Sequence, residues 1–456
     1  MDIKQYNYIF FLGIGGIGMS ALARFFHING KKVAGYDRIQ TPLCIELEEI
    51  GMEIHYEDEI KNIPTDFLDA EKTLIVYTPA IPENSKELQY FQSNNFNIIK
   101  RAAALGLISK AYNTIAIAGT HGKTTISTMT SQLLNSSHIK ANSFIGGISK
   151  NFNSNFVLAK DSDILVCEAD EFDRSFLQLY PQTLLISSMD ADHLDIYGDK
   201  NDLENTFKEF VSQIKKGGTL IHKLNLSLPE REGIRKFTYD INNSAADYYA
   251  SDIKLDGNLY TFTLHSPSQS ISNLKLGVSG WVNIENAIGA SAIALLSGVS
   301  EEELREGLLS YSGVKRRFDY HIQSEEMVYI DDYAHHPKEL EAIIKSVRKI
   351  YPDKKISGIF QPHLYSRTQD FSEEFAKALS LLDELFLLDI YPARELPIEG
   401  VDSNIIFKNV ECSEKILCTK SEILNIIKDK KFDVLLSLGA GDIDQLVPEI
   451  EKMFTK

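Results

Sequence analysis

The chain has 456 residues, enough for about three domains, and 43% of them are hydrophobic, enough for several large cores. Its net charge of −17 excludes a binder of nucleic-acid backbone, which requires a basic face. No run approaches the ~18 apolar residues of a membrane helix, and Cys44, Cys167, Cys412 and Cys418 form neither a C-x-x-C pair nor a disulfide framework, so reduced thiols in the cytoplasm are expected.

The segment YIFFLG (8–13) reads as a first strand rather than a signal peptide. The loop Gly13-x-Gly15-Gly16-Ile17-Gly18 follows, then a helix over 19–29 that Gly30 stops, then a strand ending at Asp37. Strand, glycine loop, helix, strand and terminal acid form a nucleotide-binding βαβ pattern, in which the acid reaches a ribose hydroxyl. Strands over 73–79 and 96–100 complete the block. A second block opens with a strand over 113–119 and the loop GTHGKTT (119–125), which begins a helix running to about Leu134. Strands follow over 163–171, 183–190 and 218–223. In residues 235–280 the segments FTYD, YYASDIKL, LYTFTLHS and NLKLGVSG alternate with turn residues and read as an antiparallel β insertion; a helix over 284–296 closes the block. The third block has a strand at MVYIDDYAHHP (327–337). A helix follows whose Leu340, Ile343, Ile344, Val347, Ile350 and Tyr351 share one face. Three later apolar runs suit a parallel sheet buried on both sides. The alternation gives an α/β protein of three domains: Rossmann-like at 1–110, a central phosphate-loop domain with the β insertion at 111–312, and a Rossmann-like C-terminal domain at 313–456.

The loop at Lys123 departs from the common phosphate-loop pattern, because position 117 is Ile117 and the leading glycine is Gly119. It still sits between strand and helix, where backbone N–H groups and the helix N-terminus favour an anion. Lys123 supplies a cation for the outer phosphates and Thr124 a hydroxyl for Mg2+. Glu168, Asp170 and Glu171 end the next strand, and Asp190, Asp192, His193 and Asp195 follow another, so three strand ends bring Lys123, Thr124, Glu168 and His193 to one sheet edge. The first loop then holds the diphosphate of a nucleotide-linked substrate and the second holds ATP. Replacing Lys123 is expected to abolish catalysis with little effect on folding.

The motifs GIGGIGMSALA, GTHGKTT, EADEFDRSF, DHLDIYGD, NIENA, GVKRRFD, DDYAHHP and FQPHLYSRT occur in this order over essentially the whole length. On them the chain resembles the Mur ligase family, whose own phosphate loop is the shortened form. The resemblance implies ATP-dependent ligation of L-alanine to the carboxylate of UDP-N-acetylmuramate through an acyl phosphate, in the cytoplasm, by a monomer or homodimer. It implies that Lys123, Glu168 and His193 are catalytic, with Thr124, Glu168 and His193 holding Mg2+. Gly119, Thr120, His121, Gly122, Lys123, Thr124, Thr125, Asn283, Asn286, Arg317 and Asp332 would bind ATP. Gly13, Gly15, Gly16, Ile17, Gly18, Asp37 and Thr78 would bind the UDP-sugar, and Tyr333, His335, His363 and Arg367 the L-alanine, whose carboxylate suits a guanidinium fork.

Three positions depart from the family pattern: Val282 stands for His, Leu364 for Arg, and Phe172 for Ser. Lys208 lies at the distance where sister ligases carry a carbamylated lysine, but matching the L-alanine-adding pattern puts Phe207 there. The rival within the family is a recycling ligase that attaches a preformed peptide. A nicotinamide oxidoreductase would leave Lys123, Glu168 and His193 without a task, and a motor would hydrolyse ATP without an acceptor.

Overall fold

The computed structural model describes residues 3–190, 197, 199–393 and 395–455. The chain forms two compact units, one of Met1–Ile253, Phe262–Lys275 and Glu285–Ser312, the other of Lys254–Thr261, Leu276–Ile284 and Gly313–Lys456.

The first unit holds two large sheets. In one, strands Glu53–His55, Lys32–Tyr36, Tyr8–Leu12, Thr73–Tyr77 and Asn97–Lys100 lie side by side, all parallel. Tyr8–Leu12 is central, and Ile9 to Leu12 are fully buried, which explains its unbroken apolar run. Strand order reverses at this strand, so the glycine loop leaving it lies at the topological switch point where α/β sheets bind ligands.

The second sheet runs Arg235–Tyr239, Thr219–Lys223, Thr183–Ile186, Asn113–Ala118, Ile164–Glu168, Asn142–Ser149, Ser154–Val157. All neighbours are parallel except the last two strands, which form an antiparallel hairpin at the edge. The switch point falls beside Asn113–Ala118, the strand that feeds the Lys123 loop. One expectation needs correction: the strand containing FTYD pairs in parallel with Thr219–Lys223 and belongs to this sheet, not to the insertion. Its mixed pattern reflects a half-exposed edge. The insertion proper is a separate three-stranded sheet of Tyr249–Asp256, Leu259–His265 and Ser270–Lys275, joined by links too short for parallel crossovers.

The two sheets of this unit are fastened together. Phe25, on the helix Ile17–Ile28, packs against Phe144 and Phe156 of the edge hairpin, with ring centroids 5.6 and 6.1 Å away. Asn155 Nδ2 donates to Ile17 O at 2.6 Å and to Ser20 Oγ at 2.8 Å. The helix that follows the first glycine loop is thereby held on the central sheet.

The second unit is built on strands Asp319–Gln323, Val328–Asp332, Val434–Leu438, Ile356–Phe360, Glu384–Leu387 and Glu414–Leu417, parallel except for the antiparallel first pair. The helix Pro337–Ile350 buries Leu340, Ile343, Ile344, Val347 and Ile350, the stripe its sequence spaces three and four apart. Among the described residues no helix is long and apolar enough to cross a membrane.

Candidate active site

The loop 119–123 leaves the central strand and turns directly into the helix Lys123–Ser136, which has no side-chain cap at its N-terminus. Its first amide groups therefore face outward, an arrangement that suits phosphate. Gly119 has φ +131°, and a Cβ there would collide with Ser187. A side chain is excluded both by conformation and by space, so the leading glycine belongs at 119. The pair Ser187 and Ser188 braces the loop: Ser188 Oγ accepts from His121 N at 2.8 Å and bonds Thr120 Oγ1 at 2.9 Å, while Ser187 Oγ donates to His121 O. Sequence reading missed both serines, although SSMD follows a strand at the switch point. Asn286 Oδ1 would stand 2.9 Å from a Cβ on Gly122, so its side chain lies against the loop. Asn283, buried, donates to Ser279 O at 2.6 Å.

Thr124 and Glu168 meet as expected. Thr124 Oγ1 donates to Glu168 Oε1 at 3.2 Å, and Gly146 N donates to Glu168 Oε2 at 3.1 Å. The 3.2 Å oxygen spacing is near the roughly 2.9 Å edge of a Mg2+ octahedron with 2.0–2.1 Å bonds. Among the described residues no three His, Cys, Asp or Glu side chains form a metal cluster. A hydroxyl and one carboxylate, with water and phosphate supplying the rest, is the sparse set Mg2+ accepts. His193 lies outside the described residues, as do Asp192 and Asp195. Phe207 is buried and its ring meets Phe176 at 5.2 Å, while Lys208 bonds Asn205 on the surface.

Lys123 Nζ donates to Gly119 O at 2.6 Å and lies 2.8–2.9 Å from both carboxylate oxygens of Glu171. Burial works to lower the lysine's pKa, but the carboxylates of Glu171, Glu168 and Asp170 outweigh it and hold the value at about 12. The ammonium is thus charged at every physiological pH. Because Glu171 is 1% exposed, removing Lys123 would take a close ion pair from a buried carboxylate. Against the expectation of little effect on folding, the ion pair argues that the variant is also destabilised.

At the first loop, Gly15 N donates to Asp37 Oδ2 at 2.8 Å, so the acid at the end of the second strand braces the loop itself. Thr78 packs on Gly13, where a Cβ would stand 2.6 Å from its methyl group. Gly16 precedes the helix and Ile17 and Gly18 begin it. Against Gly18 lies Arg101, a cation the sequence reading did not single out, whose Nη2 also reaches Asp170 Oδ2 at 3.0 Å.

In the second unit, Tyr333, His335, His363 and Arg367 gather at the C-terminal strand ends. The rings of Tyr333 and His335 are 5.3 Å apart, those of His335 and His363 6.1 Å, and Arg367 Nη1 is 3.4 Å from His363 Nδ1. Tyr391, also missed, stacks on His363 at 5.8 Å. His336 points elsewhere, capping its helix and packing on Phe371. Arg316 and Arg317 both lie over the Tyr333 ring, at 5.0 and 4.9 Å. Arg316 is a strut, bonded to buried Asp331 and to Gly439 O, whereas Arg317 makes a longer, 3.9 Å ion pair with Glu339. Both neighbours of Arg317 have left-handed backbone, Arg316 at φ +63° and Phe318 at +48°, a strained conformation that costs energy and accumulates at functional sites. Asp332 receives Phe318 N at 2.7 Å and Ala334 N at 2.8 Å, yet burial lifts its pKa to about 6 against these bonds and Arg317.

A phosphate loop, a carboxylate at the neighbouring strand end and a separate glycine loop define a multidomain α/β enzyme that handles nucleotides. Family models for the Mur ligase catalytic domain, middle domain and glutamate ligase domain match residues 8–113, 117–294 and 316–441, and the chain belongs to the Mur ligase family. It is 48% identical to a UDP-N-acetylmuramate–L-alanine ligase of Parabacteroides distasonis over 100% of this chain and 99% of the relative. A ligase of the same name from Porphyromonas gingivalis is 49% identical over 97% and 98%. The crystal structure of a UDP-N-acetylmuramate-alanine ligase from Thermotoga maritima aligns with a TM-score of 0.83 at 25% identity, covering 98% of this chain and 99% of that one.

Proposed function

We propose that this chain joins L-alanine to the carboxylate of UDP-N-acetylmuramate, driven by ATP, yielding UDP-N-acetylmuramoyl-L-alanine, ADP and phosphate. The observation that carries the reading is the meeting of Lys123, Thr124 and Glu168 at the switch point of the central sheet, in a chain 45–49% identical to several ligases of that name. The peptide-adding alternative is not favoured, since the relatives at 45–49% identity over nearly the whole chain are named for L-alanine ligation, whereas the murein peptide ligase from Psychrobacter arcticus, 22% identical, shares only the fold.

In this reading domains 1–110, 111–312 and 313–456 bind the UDP-sugar, ATP and L-alanine. The muramate carboxylate attacks the γ-phosphorus, ADP leaves, and an acyl phosphate forms. The alanine amine then attacks the acyl carbon, phosphate departs with the attacking carboxylate oxygen, and the amine loses a proton. Lys123 neutralises charge on the transferring phosphoryl group. Thr124, Glu168 and His193 would hold Mg2+, which adds charge neutralisation when bound. Arg317, Asp332, Asn283 and Asn286 would contact the nucleotide, and Arg367 would fork onto the alanine carboxylate beside Tyr333, His335 and His363. The enzyme works in the cytoplasm as a monomer or homodimer.

The test is isotope transfer. With 18O in the muramate carboxylate, one labelled oxygen is expected in each phosphate released, read by mass spectrometry. Unlabelled phosphate would overturn the acyl-phosphate route.

A further inference from the structure

Glu171 has no part in the reaction just described, yet it is among the most buried carboxylates near the phosphate loop. Both its oxygens lie 2.8–2.9 Å from Lys123 Nζ. A buried carboxylate is retained at a cost unless it is paired, and this one is paired with the cation the reaction uses.

The segment carrying Glu171 is fixed on several sides. Its carbonyl accepts from Tyr197 Oη and from Arg174 N. The preceding Asp170 is bonded to Arg101 at 3.0 Å, and the following Asp173 to Lys100 at 2.7 Å. Both partners come from the start of the helix Arg101–Ser109 and the residue before it. Asp173 and Arg174 are consecutive non-glycine residues with left-handed backbone, φ +54° and +52°, a conformation held only where the surroundings over-determine it. The backbone that carries the carboxylate is therefore fixed, whereas Lys123 sits on a flexible four-carbon stem.

We infer that Glu171 is a positioning residue that holds Lys123 in direct competition with the nucleotide's phosphates. It keeps the lysine ordered next to its own loop and draws it back when the phosphates depart. A carboxylate opposing a polyphosphate for one cation weakens nucleotide binding, and its removal strengthens it. The inference rests on the reading of the Lys123 loop as the ATP site.

The test is calorimetric titration of the full-length protein with ADP in Mg2+ buffer, alongside UDP-N-acetylmuramate. Glu171→Gln is expected to lower the ADP Kd at least threefold and the KM for ATP with it, while the UDP-sugar Kd stays within twofold of wild type. General damage to the fold would weaken nucleotide binding, so tightening is a readout that a structural role does not produce. Glu171→Asp, which retains charge and lengthens the pair, is expected to shift the Kd in the same direction by less, and it serves if the glutamine variant does not fold. An ADP Kd unchanged or raised in the folded variants would overturn the inference. Failure of the wild-type protein to bind ADP would instead overturn the assignment of the loop.

Discussion

Gly18 and Arg101 are so close that a Cβ on Gly18 would stand 2.6 Å from the guanidinium Nη1 and 3.1 Å from Cδ. The last glycine of the first loop thus leaves room for the side chain of an arginine from another helix. That arginine also reaches Asp170, beside the residue that holds Lys123.

Gly18→Ala is expected to fold, because a flexible side chain can yield, but Arg101 must leave its place. Loss of one charge-assisted contact is worth about a tenfold change. The UDP-sugar KM should rise about tenfold, with the ADP Kd unchanged by calorimetry. A variant with wild-type KM would show that Arg101 makes no contact with the UDP-sugar.

Much of this was legible in the sequence because glycines, acids and periodicity carry local physics. Gly119, Gly122 and Lys123 announce a phosphate turn, Asp37 follows its strand at the right distance, and the stripe from Leu340 to Ile350 predicts a buried helix face. The contacts that crosslink the site were not legible. Ser187, Ser188, Arg101 and Tyr391 act through neighbours remote in sequence, and nothing local marks them. The strand Arg235–Tyr239 was assigned to the wrong sheet for a related reason: alternation reports half-exposure, and an edge strand of a parallel sheet has it too.

Lys123→Ala should reduce turnover by on the order of a hundredfold or more. It should also destabilise the protein, by on the order of 3 kcal/mol, because buried Glu171 loses its 2.8–2.9 Å ion pair with Lys123. The double variant Lys123→Ala/Glu171→Gln should recover stability in urea titrations without recovering activity. A single variant as stable as wild type would show that the pair is worth little.

Asp332 gives a pH signature. Its folded pKa is raised to about 6, above the ~3.9 of an unfolded aspartate. The native state therefore binds the proton more tightly, and this group's contribution to stability falls as pH rises from about 4 to 6, then levels off. The stability difference between wild type and Asp332→Asn should drop by roughly 2–3 kcal/mol across that window. A difference independent of pH would mean that Asp332 titrates normally.

Arg367→Lys keeps the charge and loses the fork. The KM for L-alanine should rise at least tenfold, with ATP and UDP-sugar binding unchanged. Equal effects on all three substrates would indicate a general structural role instead.

The central claim is an obligatory three-substrate ligation. ADP release should be measured with wild-type enzyme, ATP and Mg2+, omitting UDP-N-acetylmuramate and L-alanine in turn. Sustained release is expected only when both are present, with product formed in equal amount. Sustained release that continues without either one would contradict the account.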